Sequence, residues 1–396
     1  MSVTGELPPS YWFSRSTTRE EADLVIVGAG LVGVSTAWWA ARAGRRVIVI
    51  EAQRVAAGAT GRSTGFLVTG ALRPFTTLAR KVGEERALRL WELSHENLSL
   101  LRREVLNADR IDCGWRVEGS WRTAVAGSAA EVEWEQSAEA LARHGFAVEW
   151  RERDAVRRES GSPALGGALH VAGDGGVDPV ALCRGLLAQS GAQVRKGLAV
   201  RAIEEDGERA RLVWAGGEIV ARMVVLAVNS HVSPLVPALA GKLRLIGAEA
   251  LATAPAEPRL PGLWLVHPQG FALRQLADGT LIAAVAAESE VAGGFLEAPT
   301  ATGQASLEAA LHELFPAPTR PRVLHRWAGT MVRTADGLPW VRSVPGVPAA
   351  AYACGFNGGG LSLGFALGRR LARWAGDGDE RHLAVFQPAD SVIAPS

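Results

Sequence analysis

The hydrophobic pattern of the chain begins with a buried strand, a turn, a helix and a second strand. Residues 24–27 form a short apolar run, residues 32–42 carry apolar side chains at helical spacing, and residues 45–50 form a second apolar run. A glycine-containing turn joins the first run to the helix, and Gly44 can end that helix. Two strands around a helix within roughly thirty residues predict a βαβ unit with parallel strands.

Farther along, the pattern alternates between helices and two kinds of strand. We predict helices in residues 77–106, 123–145, 178–190, 307–315 and 361–375. We predict strands at residues 193–200, 210–213, 223–228 and 350–354. Residues 244–285 alternate short β-like runs with Pro and Gly turns, which is typical of an antiparallel sheet. Because these stretches are interleaved, no linker divides the chain into two consecutive domains.

The first chemical motif is Gly28-x-Gly30-x-x-Gly33, which lies between the first strand and its helix. In such a motif the first glycine permits a tight turn, the second lets the backbone approach a pyrophosphate, and the third lets helix and strand pack closely. The helix N terminus then offers free N–H groups to the phosphates. Glu51, at the end of the second strand, can accept a hydrogen bond from a ribose 2′-OH and disfavours a 2′-phosphate. The unit predicts binding of a dinucleotide other than NADP, and an ordinary glycine turn is the alternative.

Two further Gly-rich stretches favour FAD over NAD as that dinucleotide. Residues 58–65 (GATGRSTG) can wrap phosphates and run beneath a ring system. Residues 355–362 (GFNGGGLS) open the last predicted helix, whose N terminus can stabilise negative charge on a reduced flavin. A flexible loop and a Gly-rich turn are the structural alternatives. The predicted cofactor contacts are Gly28, Gly30, Gly33, Glu51, Ala52, Gly61, Arg62, Ser63, Val200, Ala227, Gly358, Gly359, Gly360 and Leu361.

These segments together resemble the FAD-dependent D-amino-acid oxidase superfamily, in the branch of glycine, sarcosine and γ-glutamylputrescine oxidases. Residues 23–52 resemble its FAD-binding unit, and GATGRSTG is similar to the family's GASGRNGG stretch. The other similar segments are Ser10-Tyr11-Trp12, residues 111–113, GVDP at 176–179, residues 223–230, WAG at 327–329, TADGLP at 334–339 and GFNGGGLSLG at 355–364. Asn357 and Gly359 stand where the family usually has Ser and His, which indicates a different pocket beside the reactive flavin N5.

The resemblance, which covers nearly the whole chain, implies an α/β fold. A Rossmann-type FAD-binding domain is interleaved with a smaller α+β substrate domain built on an antiparallel sheet. We assign residues 20–90, 160–235 and 322–385 to the FAD-binding domain and residues 91–159 and 236–321 to the substrate domain. Covalent flavin in the family uses a His or Cys near the first Gly-rich loop or the WAG segment. This chain has neither at residues 62–64 or 329–331, so non-covalent FAD is expected.

The implied reaction is two-electron oxidation of a C–N bond in a small primary or secondary amine or amino acid. Hydride passes to flavin N5, and the product is an imine. Among the candidate catalytic residues, Glu249 lies in an apolar run where an unpaired charge is costly to bury, so it could pair with a cationic amine. Arg274 and Arg333 could bind a carboxylate, and His267 could line the pocket. A structural role is the alternative for each of the four.

The electron acceptor separates the remaining hypotheses. O2 is the expected acceptor, which makes the chain an oxidase that acts as a monomer or homo-oligomer. One alternative is a flavin-bearing subunit of a hetero-oligomeric dehydrogenase that passes electrons to a protein partner. Another is an imine-forming tailoring enzyme of secondary metabolism. An NAD-dependent enzyme would not need residues 58–65 or the C-terminal glycine loop, and a redox-silent FAD scaffold is the last alternative.

Composition narrows the setting of the protein rather than its chemistry. The 396 residues include 42 basic and 41 acidic side chains, so the net charge of +1 gives no reason to expect nucleic acid or an anionic membrane as partner. Three scattered cysteines argue against a disulfide framework, and no Cys/His cluster suggests a metal. Residues 1–20 lack an apolar signal segment, and residues 24–50 are broken by glycines and arginines. We therefore expect a cytoplasmic protein without a metal.

Overall fold

The computed structural model describes residues 20–107, 110–290, 294–316 and 321–386, so the motif at residues 10–12 lies outside the described residues. The helices are α1 (Leu31–Arg42), α2 (Phe75–Val82), α3 (Glu84–Leu101), α4 (Ala129–Arg143), α5 (Arg153–Ser160), α6 (Pro179–Ser190), α7 (Ala301–Leu314) and α8 (Gly360–Asp377). Short 3₁₀ helices lie at Asn229–His231, Pro237–Leu239 and Glu380–His382, and a π-helical turn, Arg102–Leu106, extends α3. Within these ranges, every helix is too short or too polar to cross a membrane.

The strands are grouped into two large sheets and a small one. They are β1 (Glu20–Val27), β2 (Val47–Glu51), β3 (Phe66–Leu67), β4 (Arg116–Val117), β5 (Ser120–Val125), β6 (Glu149–Arg151), β7 (Leu165–Val171), β8 (Gly175–Gly176), β9 (Gln193–Lys196), β10 (Val200–Asp206), β11 (Arg209–Trp214), β12 (Gly217–Leu226), β13 (Arg244–Pro255), β14 (Leu263–Val266), β15 (Phe271–Gln275), β16 (Thr280–Glu290), β17 (Val323–Arg333), β18 (Trp340–Val344) and β19 (Val347–Cys354).

The first sheet contains the predicted βαβ unit. Strand β1 pairs in parallel with β2 and β12, while β9 pairs in parallel with β2 and β19 with the end of β12. The strands β10 and β11 extend β12 in antiparallel fashion, and β18 pairs antiparallel with β19. Helix α1 packs closely against α8, since a Cβ on Gly368 would lie 2.6 Å from the Cβ of Ser35. The Rossmann-type arrangement expected from the apolar runs is confirmed.

The second sheet has the strand order β17-β13-β16-β15-β14-β5-β7-β6 and is antiparallel except for the β14–β5 pair. Helix α7 covers one face, where Leu307 and Leu311 pack with Leu251. The opposite face meets the chain that follows β2, because Gly329 on β17 lies against the side chain of Arg62. The small sheet β3-β8-β4 contains part of that same chain. The end of the first sheet where its parallel strands finish therefore faces one face of the second sheet. We call this end of the sheet its edge.

Local signals explain which elements were predicted closely. Helix α6 begins where Asp178 accepts hydrogen bonds from the N–H groups of Val180 and Ala181, with Pro179 in the first turn. The helix predicted over residues 77–106 is instead divided into α2 and α3 at Gly83, whose φ of 86° an L side chain rarely adopts.

Two corrections concern the second sheet. Residues 123–145 contain helix α4 as predicted, but strand β5, which ends at Val125, was not predicted. Strands β7 and β17 pair within the second sheet, although the assigned segments 160–235 and 322–385 placed them with the FAD-binding strands. Both strands pair with partners distant in sequence, which the local pattern does not show.

Candidate active site

The glycine motif lies at the edge of the first sheet where the parallel strands end. Gly28 has a φ of 100°, and its N–H donates to the carbonyl of Ile50 over 2.8 Å. A Cβ on Gly28 would lie 2.7 Å from the Ala227 carbonyl oxygen, and one on Gly33 would lie 1.9 Å from the carbonyl oxygen of Gly28. Gly30 is the N-cap of α1 and has no side chain to bond to the first turn. N–H groups at this helix end can therefore receive a phosphate. The motif is therefore packed as a dinucleotide site requires.

Glu51 fixes this edge through its carboxylate. Its Oε2 accepts from the N–H of Ala29, inside the glycine motif, and its Oε1 accepts from the N–H of Gln53, each over 2.8 Å. A carboxylate oxygen has a second lone-pair position, so Glu51 retains acceptor capacity for a ribose hydroxyl. The sequence pattern had not shown that the same carboxylate also holds the turn.

Two other predicted contacts lie near the end of β2. Ala52 follows Glu51 and is exposed. The chain leaving β9 passes here, because the N–H of Leu198 donates to the Glu51 carbonyl over 3.3 Å. Val200 begins β10 immediately afterwards and is partly buried. Both predicted contacts therefore lie near Glu51.

The Gly-rich loop at residues 58–65 folds back onto the start of α1. The hydroxyl of Thr60 accepts from the N–H of Leu31 over 3.1 Å. The N–H of Gly61 donates to the Ala56 carbonyl, and a Cβ on Gly61 would lie 2.3 Å from that oxygen. Ser63 donates its hydroxyl to the Thr60 carbonyl over 2.8 Å. The loop thus lies against the N terminus of α1.

Arg62 leaves this loop and bridges to the second sheet. Its guanidinium donates to the carbonyls of Ala57, Glu297 and Ala328. In return, the indole N–H of Trp327 donates to the Arg62 carbonyl over 2.9 Å. The side chain was expected to contact the cofactor, but these bonds make it a link between the loop and β17.

The C-terminal glycine loop brings α8 to the same edge. Gly358 has a φ of 91°, and a Cβ there would lie 2.6 Å from the Cδ1 of Leu72. Gly359 precedes the helix without a side-chain cap, and Gly360 and Leu361 form its first turn. An uncapped first turn leaves N–H groups that can face negative charge. The residues of the described chain thus fit FAD, whose phosphates would lie on α1 and whose ring would lie by α8.

Small side chains lie on the face of the second sheet that meets the Arg62 loop. The pairing register puts Ala248 opposite both Gly329 and Ala286, and Ala250 opposite Ala284. Directly opposed residues share a face, and Gly329 shows which face this is, because it lies against Arg62. The small residues Ala248, Ala284 and Gly329 therefore share the face that meets the Arg62 loop with the larger side chains of Trp327 and Met331.

Positive charge gathers at one end of this face. On β17, Arg333 follows Met331 by two residues and Gly329 by four. Because side chains alternate along a strand, the three residues lie on the same face. Burial lowers the pKa of the half-buried His267, and the charges of Arg73 and Arg333 lower that pKa further, against an opposing effect of Glu133. His267 and the two arginines are close enough to interact, so two predicted residues are brought together, with Arg73 as an addition.

Arg274 differs from its expected role as a carboxylate ligand. It is 3% exposed, and its Nη1 donates to the carbonyls of Thr64, Gly65 and Val177 over 3.4, 3.3 and 3.1 Å. Its Nη2 lies 3.9 Å from the carboxylate of Glu118. The guanidinium therefore holds the backbone of the Gly-rich loop from below, which places it out of reach of a substrate.

Glu249 also differs from its expected role. Its Oε1 accepts from the N–H and the hydroxyl of Thr300 over 2.9 and 2.8 Å, and its Oε2 accepts from the side chain of Gln304 over 2.8 Å. Thr300 is the N-cap of α7, on the face of β13 opposite the Arg62 loop. Glu249 fastens α7 to the sheet and cannot meet an amine at the cofactor edge.

A buried ion pair was missed by the sequence analysis. Arg122 and Asp174 are fully buried, with 3.5 Å between Nη2 and Oδ2. Asp174 accepts from the N–H of Thr69 over 2.8 Å, and Arg122 donates to the carbonyl of the same residue. The pair thus fixes the chain just after β3. Strand β5, which carries Arg122, was not predicted, so no pattern singled out this side chain.

Metal chemistry has no support in the described part of the chain. No group of three or more His, Cys, Asp or Glu side chains there is arranged to hold a metal ion. The three cysteines are buried, and burial raises the pKa of Cys354 to about 12.

Comparison with known proteins identifies this architecture. The family of FAD dependent oxidoreductases called DAO matches residues 23–374. The chain is 27% identical over 350 residues to an opine oxidase subunit of Rhizobium meliloti, covering 84% of this chain and 88% of that protein. It is 26% identical over 365 residues to γ-glutamylputrescine oxidoreductase of Escherichia coli, covering 88% and 82% respectively. The fold is similar to glycine oxidase from Geobacillus kaustophilus, with a TM-score of 0.73 at 22% identity, covering 91% and 96%.

The family match includes the glycine motif, the Gly-rich loop, the sheet face that meets this loop and the start of α8. The resemblance inferred from the motifs is confirmed, and with it the expectation of an enzyme. The chain belongs to the DAO family of FAD-dependent oxidoreductases.

Proposed function

We propose that the protein oxidises the C–N bond of a small amino acid or amine with non-covalently bound FAD. The observation that carries this proposal is the opposition of two surfaces, a glycine-built dinucleotide edge and a sheet face with a small apolar patch and arginines at one end. When bound, FAD supplies the two-electron oxidant that removes a hydride from the carbon next to nitrogen. Backbone N–H groups of the glycine motif and the Glu51 carboxylate would hold the cofactor.

The residues on the second sheet define what the substrate must look like. The patch formed by Ala248, Ala284 and Gly329 is small and apolar and lies on the same face as Trp327 and Met331, which suits a short carbon chain. Arg333, with Arg73 nearby, receives a carboxylate at the charged end, because a guanidinium binds that group with paired hydrogen bonds. An amino acid satisfies both ends, so we place it ahead of a simple amine.

Non-covalent attachment of FAD is supported by the buried cysteines. Cys113 and Cys354 are each 2% exposed or less, and Cys183 is fully buried. Burial raises the pKa of the Cys113 thiol to about 11, so it stays protonated and a poor nucleophile. Acid or heat should therefore release the flavin into solution.

O2 is our first choice of electron acceptor, and a protein partner is the second. The similarity to a protein named as one subunit of an opine oxidase favours the second choice, since that name implies a further subunit. All three lysines of the chain, Lys81, Lys196 and Lys242, are exposed. The two acceptors differ in how fast air reoxidises the reduced enzyme.

The test is an anaerobic titration of the purified holoprotein with single amino acids and amines, followed through the flavin absorbance near 450 nm. We expect an amino acid to bleach the band, and admission of air to restore it within seconds. Bleaching without recovery in air would replace O2 with a protein acceptor. A protein that contains FAD and is bleached by no amino acid or amine would contradict the proposed reaction.

A further inference from the structure

A buried amide is bonded into the helix that reaches the cofactor edge. Asn97 lies on α3 and is fully buried. Its Nδ2 donates to the carbonyl of Leu361 over 3.2 Å. Its Oδ1 accepts from the N–H groups of Phe365 and Ala366 over 2.8 and 3.0 Å. All three partners belong to the first two turns of α8.

These partners are groups that a regular helix would pair with each other. In an α-helix the N–H of Phe365 donates to the carbonyl of Leu361, four residues earlier. The Asn97 amide contacts both groups of that pair, and it also takes the N–H of Ala366. Asn97 therefore ties the first two turns of α8, which follow Gly359, to α3.

The same turn is held from the other side. The hydroxyl of Ser362 accepts from the N–H of Val68 over 3.1 Å, and Leu72 packs against Gly358. Asn97 on α3 therefore holds the start of α8 from one side, and the chain after β3 holds it from another. No side chain caps the turn, so its N–H groups remain available to a ligand.

We propose that Asn97 is a positioning residue that aims the first turn of α8 at the flavin, so that the helix N terminus stabilises the negative charge of the reduced ring. Positive potential at a helix N terminus favours an anion placed along the helix axis and weakens within a turn of it. A small change in direction should therefore change how strongly negative charge on the flavin is held. This inference rests on one part of the proposed function, the binding of FAD.

The experiment uses the FAD-containing protein with Asn97→Leu and sulfite as probe. Sulfite adds to oxidised flavin and leaves the ring negatively charged, so its affinity reports the stabilisation directly. Leucine has a similar volume but no hydrogen-bonding group, so the three bonds to Leu361, Phe365 and Ala366 are lost. We expect the sulfite dissociation constant to rise at least about tenfold. A tenfold change in a two-electron equilibrium corresponds to about 30 mV, so the flavin potential should fall by that amount or more.

The matched control is Gln275→Leu. Gln275 is another buried amide with three hydrogen bonds, to Leu260, Ala256 and Gly279, at the end of β15. Its loss should lower the unfolding midpoint and leave the sulfite affinity unchanged. A purely structural Asn97 would behave in the same way as Gln275, with stability changed and the flavin unaffected.

The outcomes separate this inference from the proposed function. Sulfite affinity and potential equal to wild type in Asn97→Leu would overturn the role of Asn97. If that variant retains too little FAD, Asn97→Ser is measured instead, because a hydroxyl is too short to bridge Leu361 and Phe365. It should weaken sulfite binding in the same direction, and an unchanged value would again overturn the inference. A wild-type protein that binds no FAD would contradict the proposed function instead.

Discussion

The two regions that meet at the candidate site are built by different means. At the edge of the first sheet, close backbone packing sets the geometry. A Cβ on Gly33 would lie 1.9 Å from the carbonyl oxygen of Gly28, and one on Gly28 would lie 2.7 Å from that of Ala227. On the second sheet, side chains set the geometry. They are the small residues on the face that meets the Arg62 loop and two arginines, Arg274 and Arg333, which have different roles. Arg274 points into the protein and holds carbonyls, whereas Arg333 lies at the end of the open face.

This difference separates what must stay constant from what can vary. A backbone-built edge binds the invariant part of the chemistry, the dinucleotide, and tolerates almost no change of residue. A side-chain-built face can be altered one residue at a time while the sheet remains, so the same fold can serve different substrates. Substitutions in the two regions should therefore fail in different ways.

The largest effect is expected for Gly33→Ala. The new Cβ would lie 1.9 Å from the backbone oxygen of Gly28, so the glycine turn and α1 must separate. We expect loss of most bound FAD and a destabilisation of about 3 kcal/mol or more. Flavin content and denaturant unfolding measure both. The control is Gly173→Ala, where the nearest atom is 3.9 Å away and the cofactor should be retained. Full FAD content in Gly33→Ala would contradict the backbone account.

Arg274→Lys should come next, as an effect on stability. The single ammonium group of lysine cannot reach three carbonyls and the half-buried Glu118 at once, which should cost about 2–4 kcal/mol. The Michaelis constant of the variant that retains FAD should be unchanged. If the Michaelis constant rises while stability is unchanged, Arg274 is a substrate ligand after all.

Arg333→Met should show the reverse pattern. Losing a charged hydrogen bond to a substrate carboxylate costs about 1.5–3 kcal/mol, which raises the Michaelis constant by about tenfold to a hundredfold. The FAD content should change little. Arg326→Met is the control, because Arg326 bonds to Gln304 and Glu308 on the α7 side of β17. Equal kinetics in the two variants would remove Arg333 from the substrate site.

The smallest effect concerns pH. The folded pKa of His267 is below its ordinary value of 6.5, so the unfolded chain binds more protons at this residue when the solution is acidified. The free energy of unfolding should therefore fall as the pH drops through about 6.5. His267→Gln should make this fall shallower, measured by urea unfolding across that range. An equal or steeper fall in the variant would contradict the burial of a neutral His267.

The parts predicted from sequence are those with local causes. The turn at Gly28, the end of β2 at Glu51 and the start of α8 at Gly360 depend on neighbours within a few residues. Glycine and proline positions report such geometry directly. The break between α2 and α3 had a visible signal as well, in Gly83, but the apolar spacing continued through it.

The parts missed depend on partners far along the chain. Arg274 bonds to a carbonyl 210 residues away, and Glu249 bonds to α7 across 51 residues. A single sequence shows that these side chains are charged in apolar strands but not what they meet. Arg122 was hidden for a further reason, because its strand lies just before a strong helical pattern. Residue type therefore suggested chemistry where the fold had placed structural support.

The most direct test of the account is an anaerobic comparison of an amino acid with the amine formed by its decarboxylation. Both contain the same C–N bond, so both can in principle bleach the flavin. The account predicts that the amino acid bleaches at a concentration lower by about tenfold to a hundredfold, and that Arg333→Met abolishes the difference. Equal bleaching of the wild-type protein by the amino acid and its amine would contradict this prediction. So would a wild-type protein that no amino acid or corresponding amine bleaches.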